Sequence, residues 1–294
     1  MTALQGLGQP GSLAAAALAV LAGLLAGGWL TKLAYRIPLL MERAWAEQCR
    51  EWLGQSAGQP LALPNAALSD AQIRLRDPSA CPDCQVRLPL RQQAPVLGWL
   101  MLGRRCAYCR AAISWRYPLT ETACGVLFGL CAYVFGAGWL GWILMAFLAV
   151  LLLLAAIDLH TGLLPDCLTL PLLWAGLLLN ASGHGLTGLH DAVLGAAGGY
   201  LFLWLVFHGF RLATGREGMG HGDFKLLAAL GAWLGAAALP WLLLGASLAG
   251  IVVGVALVAT GRASRGQALP FGPYLAAGGM LMLFLGGHAP ALHG

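Results

Sequence analysis

The sequence predicts an all-α polytopic membrane protein, with about eight transmembrane helices and a small metal-binding domain between the first two. Of its 294 residues, 59% are apolar and only 10% are charged, and the mean hydropathy is +0.74. A soluble domain carries about 25% charged residues. The apolar residues also fall into runs, and a run of about 20 residues can span a bilayer as a helix. The lipid bilayer is therefore an expected partner of the chain.

Eight apolar runs support this fold prediction. The first covers 12–34, and the others lie at roughly 120–137, 139–157, 163–180, 188–210, 225–239, 240–260 and 272–288. Connections as short as Ala137-Gly138 indicate antiparallel helical hairpins. The chain is therefore predicted to contain a first transmembrane helix at 1–34, a polar domain at 35–119 and a seven-helix membrane domain at 120–294.

The basic residues are distributed unevenly, and their positions predict the topology. Twelve of the 17 Lys and Arg residues lie from Lys32 to Arg116. With the N-terminus outside, the inner loops are 35–119, 158–162, 211–224 and 261–271. These loops, with Lys32 and Lys225 at their edges, hold all 17. Because cytoplasmic loops are enriched in Lys and Arg, the large polar segment is expected in the cytoplasm. This distribution does not indicate a nucleic-acid partner.

Four of the eight cysteines form two closely spaced pairs in the polar segment, Cys81-Pro-Asp-Cys84 and Cys106-Ala-Tyr-Cys109. Four thiolates in two such pairs suit a tetrahedral Zn²⁺, and a small polar domain gains folding energy from such a metal. Disulfides, or two unmetallated redox pairs, are the alternatives, and a cytoplasmic location favours metal binding over disulfides. We predict one structural zinc ion per chain, with no catalytic role.

Two aspartates at the ends of apolar runs are the candidate catalytic residues. Asp158 ends one run, and Asp223 begins another after Gly220-His-Gly222. The predicted topology places both at the inner membrane face. An ionisable residue at such a boundary indicates a functional site, and two neighbouring carboxylates can share a proton and activate a water. Gly220 and Gly222 leave the backbone open to an extended substrate strand.

Each aspartate also has a simpler interpretation. Asp223 suits a helix N-cap, and Asp158 suits a boundary residue that faces lipid headgroups. Alternatively, the pair could act as a proton or metal relay in a membrane transporter. Such a transporter would need polar residues across the bilayer, whereas the outer halves of these runs are almost wholly apolar.

Four neighbouring residues complete the set of candidates. Asp166 follows Leu-Pro and is expected to stabilise the start of the next helix. His160 lies two residues from Asp158, and His221 lies two residues from Asp223. The two histidines and the two aspartates could together bind a metal. Lys225 either neutralises the glycine loop or marks the cytoplasmic side, and the second is favoured.

In combination, these motifs resemble the bacterial type IV prepilin peptidases, which are leader peptidases and N-methyltransferases of pilus and type II secretion systems. The resemblance covers most of the chain. It rests on Tyr35-Arg36-Ile37-Pro38, the two cysteine pairs, Ile113-Ser-Trp-Arg116-Tyr-Pro118-Leu-Thr-Glu121, Asp158 with Leu164-Pro165-Asp166, Gly220-His-Gly222-Asp223-Phe-Lys225, and Pro270-Phe-Gly-Pro273.

The resemblance implies an aspartyl protease with Asp158 and Asp223 as its dyad. Its substrates would be prepilins and pseudopilins, cut after a glycine at the cytoplasmic face of the bacterial inner membrane. It also implies methylation of the new N-terminal residue with S-adenosylmethionine as the methyl donor. The zinc-bearing cytoplasmic loop of the family would correspond to residues 35–118.

Overall fold

A computed structural model of the protein describes residues 9–52, 81, 84, 86, 89, 93–216, 218–262, 264 and 269–286. Within these residues the regular elements are helices, and β pairing is limited to an isolated bridge between Arg105 and Ala112. Part of the predicted polar domain, including residues 53–80, lies outside the described residues. The helices are α1 (Leu13–Trp52), α2 (Leu97–Met101), α3 (Arg116–Phe135), α4 (Trp139–Thr161), α5 (Asp166–Ala181), α6 (Leu189–Thr214), α7 (His221–Leu234), α8 (Leu239–Ala259) and α9 (Gly272–Gly286).

Each of the eight predicted apolar runs overlaps one of these helices over most of its length, and residues 287 and 288 of the last run lie outside the described residues. In the described part of the chain, five helices are long and apolar enough to cross a membrane, namely α1, α3, α4, α6 and α8 with the 3-10 turn before it. Helices α5 and α9 are shorter, and α7 has 14 residues. At 1.5 Å per residue α7 reaches about 21 Å, less than the hydrocarbon core of about 30 Å. The all-α membrane fold is confirmed, but the count of eight transmembrane helices is not.

The first helix is longer than the sequence predicted. It continues past residue 34 and Pro38 to Trp52. Proline removes one backbone hydrogen bond but does not end this helix, and the stretch that follows is rich in Ala, Glu, Arg and Gln, which favour helix. Helix α3 similarly begins at Arg116, before the expected boundary at 120. The predicted domain boundaries after residues 34 and 119 therefore do not coincide with helix ends. The division into the domains 1–34, 35–119 and 120–294 stays a prediction.

Glycines allow α1 and α3 to pack so closely that their backbones come into contact. A Cβ atom on Gly23 would lie 2.6 Å from the Cys124 carbonyl oxygen, and one on Gly27 would lie 2.6 Å from the Cα atom of Glu121. Small residues permit this close packing of helices in lipid. The long first helix is thereby fixed to the start of the membrane domain.

Helix α7 lies at the centre of the second half of the protein, against α5, α6 and α9. Ten of its 14 residues are buried, from Asp223 to Trp233. By contrast, α6 and α8 expose large apolar side chains along their length, such as Leu201, Leu205, Leu248 and Ile251. This arrangement suits a short helix enclosed by protein and outer helices that face lipid.

Gly195 on α6 and Gly231 on α7 face each other across the closest approach of these helices. A Cβ atom on either glycine would collide with the backbone of the other. We expect Gly195→Ala to force the helices apart and to cost about 1–3 kcal/mol of folding free energy. Thermal unfolding in detergent would measure this. Gly198→Ala is the control on the same helix, because its added Cβ would have no neighbour within 4 Å in the part of the chain that the structure describes. Equal unfolding temperatures for the two variants would contradict this packing.

Helices α4 and α7 approach each other through an aromatic pair and an acidic pair. The rings of Phe147 and Trp233 stack with centroids 4.4 Å apart. The Trp233 indole also donates a hydrogen bond of 2.8 Å to the Leu172 carbonyl oxygen. Because Phe147 precedes Asp158 by eleven residues while Trp233 follows Asp223 by ten, the two helices run antiparallel here. Their aspartates therefore lie at the same level of the bundle.

Candidate active site and metal centre

Asp158 lies near the end of α4 and is buried, with 4% of its surface exposed. The helix stops at Gly162, which adopts a left-handed conformation with φ of 66° and donates its N–H to the Asp158 carbonyl oxygen. Glycine takes this conformation without the steric cost that a side chain brings. The helix end therefore fixes Asp158 one turn before the polar connection to α5.

Asp223 lies in the first turn of α7 and has 6% of its surface exposed. Gly220 is the N-cap residue, and its backbone interacts with the Asp223 carboxylate. The partial positive charge of a helix N-terminus also stabilises an anion at this position. Asp223 is therefore not the N-cap that the simpler interpretation expected, because Gly220 takes that position, and the Asp223 carboxylate lies within the first turn at the buried end of α7.

The structure places the two candidate aspartates near each other, at the ends of α4 and α7. Their carboxylates are close enough to interact electrostatically. Oδ2 of Asp158 is buried and has no hydrogen-bond partner among the described residues. A buried acceptor without a partner is costly and is often found where function requires it. The geometry therefore gives an acidic pair with an oxygen available to a water or a substrate.

Leu164 and Gly272 complete the walls of this acidic pair, and sequence reasoning assigned neither of them a role. A Cβ atom on Gly222 would lie 2.7 Å from Cβ of Leu164, and a Cβ atom on Gly272 would lie 3.1 Å from its Cδ1. Gly272 begins α9, and its backbone also interacts with the Asp158 carboxylate. The Pro270-Phe-Gly-Pro273 motif was the available signal for this contact.

We expect Gly272→Ala to impair the acidic pair directly. The added Cβ would lie 2.6 Å from Oδ2 of Asp158, so that the carboxylate must move. A misplacement of about 1 Å at a catalytic group can lower a rate about 100-fold. Turnover by purified protein of a leader peptide, the substrate that the resemblance implies, would measure the loss. Gly286→Ala at the other end of α9 is the control, since no atom of the described residues lies within 4 Å of its added Cβ. Normal turnover by Gly272→Ala would contradict the described geometry.

Asp166 and Lys225 form an ion pair that links the first turns of α5 and α7. The Lys225 Nζ atom lies 2.6 Å from Oδ1 and 2.7 Å from Oδ2 of Asp166. The structural role expected for Asp166 is thereby supported. The favoured interpretation was that Lys225 only marks the cytoplasmic side. The ion pair gives Lys225 a further role, because it holds the turn that carries Asp223.

The alternative metal site made of two aspartates and two histidines is not found. The Arg116 guanidinium donates to Nδ1 of His160 at 2.7 Å. His221 packs its ring against Phe207 and Phe224. Among the described residues, the one group of three or more potential metal ligands is the set of four cysteines. The two histidines therefore do not join the aspartates in a metal site.

The four predicted cysteines converge on one point. The sulfur atoms of Cys81, Cys84, Cys106 and Cys109 all lie within 4.8 Å of one another. Cys81 and Cys109 are 3.7 Å apart at sulfur, and Cys84 and Cys106 are 4.0 Å apart. These distances are far longer than a disulfide bond of about 2.05 Å. The cluster can hold a metal ion.

Backbone hydrogen bonds shape the loops of Cys81 and Cys106 and favour the thiolate form of Cys106. The Cys106 N–H donates a hydrogen bond to the Ala111 carbonyl oxygen, and the Cys81 N–H donates one to the Val86 carbonyl oxygen. Backbone N–H groups of Cys109 and Tyr108 point at the Cys106 sulfur and lower the pKa of this thiol to about 7. The thiolate is the form that binds metal.

Glu121 connects the cysteine-bearing segment to the membrane helices. Its Oε2 atom accepts a hydrogen bond of 2.7 Å from the Val96 backbone, and the residue is buried on α3 beside Gly27. In the sequence, Glu121 stands out only as the last residue of the Ile113–Glu121 motif. The structure identifies it as the residue where the polar segment, α1 and α3 meet.

Comparison with known proteins agrees with this arrangement. The profile of the type IV leader peptidase family matches residues 145–255, and that of the bacterial peptidase A24 N-terminal domain matches residues 21–135. The chain is 46% identical to a prepilin leader peptidase/N-methyltransferase of Dickeya chrysanthemi, over 90% of this chain and 91% of that protein.

Relatives from other bacteria carry the same description. The chain is 43% identical to those of Neisseria gonorrhoeae, over 90% of this chain and 88% of that protein, and of Pseudomonas aeruginosa, over 91% and 89%. No solved structure matches the chain significantly. The two profiles together span both the cysteine cluster and the acidic pair, and the likeness to these relatives extends over nine-tenths of the sequence. This chain belongs to the type IV leader peptidase family.

Proposed function

We propose that this protein removes the basic leader from type IV prepilin-like proteins and N-methylates the new N-terminus. The buried pair of Asp158 and Asp223 is the observation that carries the peptidase half. The relatives described as prepilin leader peptidase/N-methyltransferases support both halves. The enzyme works in the bacterial inner membrane, with its cysteine-bearing segment in the cytoplasm, and its substrates are prepilins and pseudopilins.

The peptidase reaction follows from two carboxylates of opposite protonation. Two neighbouring carboxyl groups do not both ionise, because the two negative charges would repel each other, so one of Asp158 and Asp223 keeps a proton. The ionised carboxylate takes a proton from a water, and the oxygen of this water attacks the scissile carbonyl carbon. The protonated carboxylic acid donates to the carbonyl oxygen, and a proton is then delivered to the leaving amine. This route requires no covalent intermediate with the enzyme.

The surroundings of the pair provide a place for the scissile peptide. Gly220 and Gly222 present backbone without side chains beside Asp223, and Leu164 closes the site from the connection between α4 and α5. An extended segment can therefore approach along the glycine turn, while the apolar part of the substrate stays in lipid. Asp166 and Lys225 hold this turn against α5.

Zinc is the metal that best suits the four cysteines. A tetrahedral zinc with Zn–S bonds of about 2.3 Å separates its sulfur atoms by about 3.8 Å. The two measured separations of 3.7 and 4.0 Å lie on either side of this value. Four thiolates leave no open coordination position, so the metal would stabilise the polar segment and take no part in proteolysis.

S-adenosylmethionine is the methyl donor that the N-methyltransferase half requires. When bound, it supplies an electrophilic methyl group to the free amine that cleavage produces. The transporter alternative receives no support from the comparisons, and a relay would need polar groups continuing across the bilayer. Near the acidic pair, α4 instead buries Leu151, Leu154 and Ile157, and α7 buries Leu226 and Leu230.

The proposal is tested by reacting full-length protein in lipid nanodiscs with a purified prepilin, with and without S-adenosylmethionine. Mass spectrometry of the product is expected to show loss of the leader after a glycine, and addition of one methyl group at the new N-terminus only when the donor is present. Intact prepilin would contradict the peptidase half. A cleaved product without the methyl group would contradict the methyltransferase half alone.

A further inference from the structure

A cavity of about 400 Å³ lies between α1, the start of α3 and the end of α4. Neither candidate catalytic aspartate lines it. His160 does, and it follows Asp158 by two residues on the same helix. Successive helical residues turn by about 100°, so these two side chains leave α4 about 200° apart. The cavity is therefore on the far side of α4 from the acidic pair.

The volume of this cavity suits a small molecule. Ligand pockets in proteins usually measure about 300–1,000 Å³. The walls come from three helices that meet at the polar end of the bundle, beside the segment that carries the cysteines. Ser114, Arg116 and Tyr117 line the cavity and follow Cys109 closely in the chain, so the cavity opens near the cysteine-bearing segment. A ligand here would be reachable from the aqueous side.

Charges of both signs line this cavity. Glu42 of α1 presents a carboxylate, and Arg116 of α3 presents a guanidinium that also donates to His160. The rings of Tyr35 and Tyr117 add two aromatic surfaces. The best fit is a ligand with a cationic part, an anionic part and a flat ring.

We propose that this cavity binds S-adenosylmethionine. A guanidinium pairs well with a carboxylate such as that of the methionine part. A protein carboxylate commonly binds the hydroxyls of a ribose. Tyrosine rings suit the adenine ring by stacking, and the cationic sulfur by cation–π attraction. The inference rests on the methyltransferase half of the proposed function and assigns it to residues other than the acidic pair.

A basic leader segment is the competing occupant, because its Lys and Arg side chains would be attracted to Glu42. The Arg116 guanidinium opposes this, since like charges in a shared cavity repel. A ligand that carries both signs satisfies both side chains. The mixed charge therefore favours S-adenosylmethionine over the leader.

The test measures binding of tritiated S-adenosylmethionine to purified full-length protein in nanodiscs by equilibrium dialysis, with no substrate present. Glu42→Gln is expected to weaken binding about tenfold or more, since a hydrogen bond to a charged group contributes about that much. Tyr35→Leu is expected to weaken binding about tenfold, because it removes a ring on which a base can stack. Glu47→Gln is the matched control. It lies on the same helix and does not line the cavity, so its binding is expected to equal that of wild type. Ultraviolet crosslinking of the same ligand is expected to label peptides that contain Tyr35 or Tyr117.

Leader cleavage separates this inference from the peptidase half, because all three variants are expected to cut a prepilin within about twofold of the wild-type rate. Unchanged binding by Glu42→Gln and Tyr35→Leu, with label elsewhere in the chain, would overturn the cavity assignment while leaving the methyltransferase in place. A raised KM for cleavage with unchanged binding of the donor would identify the cavity as a leader site. Wild-type protein that neither binds the donor nor methylates its product would overturn both the inference and the methyltransferase half.

Discussion

Replacing either aspartate of the acidic pair is expected to abolish leader cleavage. Asp158→Asn and Asp223→Asn keep the size of the side chain but remove its ability to hold and release a proton. A positioned acid or base contributes about 10²–10⁴-fold, and groups that act as one unit lose most of the activity when one is removed. We therefore expect the cleavage rate to fall about a thousandfold or more in each variant. Timed digestion of a prepilin in nanodiscs, followed by gel densitometry, measures this.

Two other aspartates provide controls for these substitutions. Asp191 lies in the first turn of α6 and is exposed, and Asp191→Asn is expected to cleave at the wild-type rate. Asp166→Asn removes one partner of the ion pair with Lys225, which is partly exposed. A loss of tenfold or less is expected there, because exposed pairs contribute little and the reacting carboxylates remain. Normal cleavage by Asp158→Asn with full loss in Asp166→Asn would reverse the assignment.

Loss of the metal is the second large effect that we expect. Metal analysis of purified wild-type protein is expected to give about one zinc ion per chain, and Cys106→Ser to give almost none. Structural zinc sites in small peptides contribute about 10–16 kcal/mol of binding free energy at neutral pH, and this binding is coupled to folding. The segment around Cys81–Ile113 should therefore become sensitive to limited proteolysis in Cys106→Ser.

The control for the zinc prediction is Cys167→Ser. Cys167 is an exposed cysteine in the first turn of α5, away from the cluster. Its zinc content and its proteolysis pattern are expected to match those of wild type. Wild-type protein without zinc, or Cys106→Ser that keeps its zinc, would contradict a four-cysteine site. A transition metal other than zinc at full occupancy would retain the cluster and correct its metal.

The features predictable from sequence were those with a local signature. The cysteine cluster followed from the spacing of its two pairs. The acidic pair followed from two aspartates at the ends of apolar runs whose topology placed them at one membrane face. In each case the chemistry of a short stretch, combined with the bilayer as a constraint, limited the arrangements that the chain could adopt.

The features that escaped sequence reasoning depend on contacts between distant segments. Gly272 faces Asp158 across more than a hundred residues, and Lys225 pairs with Asp166 across 59. Neither of these two contacts can be predicted from the hydropathy or the charge pattern of the sequence. The extension of α1 through Pro38 to Trp52 was missed for another reason, because proline and charged residues after an apolar run usually indicate its end. Favourable helix propensity after Pro38 outweighed that signal.

The central claim is that Asp158 and Asp223 act as one catalytic unit, and a double-mutant comparison of cleavage rates tests it most directly. The rates of Asp158→Asn, Asp223→Asn and the double variant would be measured in nanodiscs at equal protein and zinc content. Because a shared mechanism fails once either member is lost, the double variant should be no slower than the slower single variant. Independent losses that multiply in the double variant, or substantial cleavage by either single variant, would contradict the account.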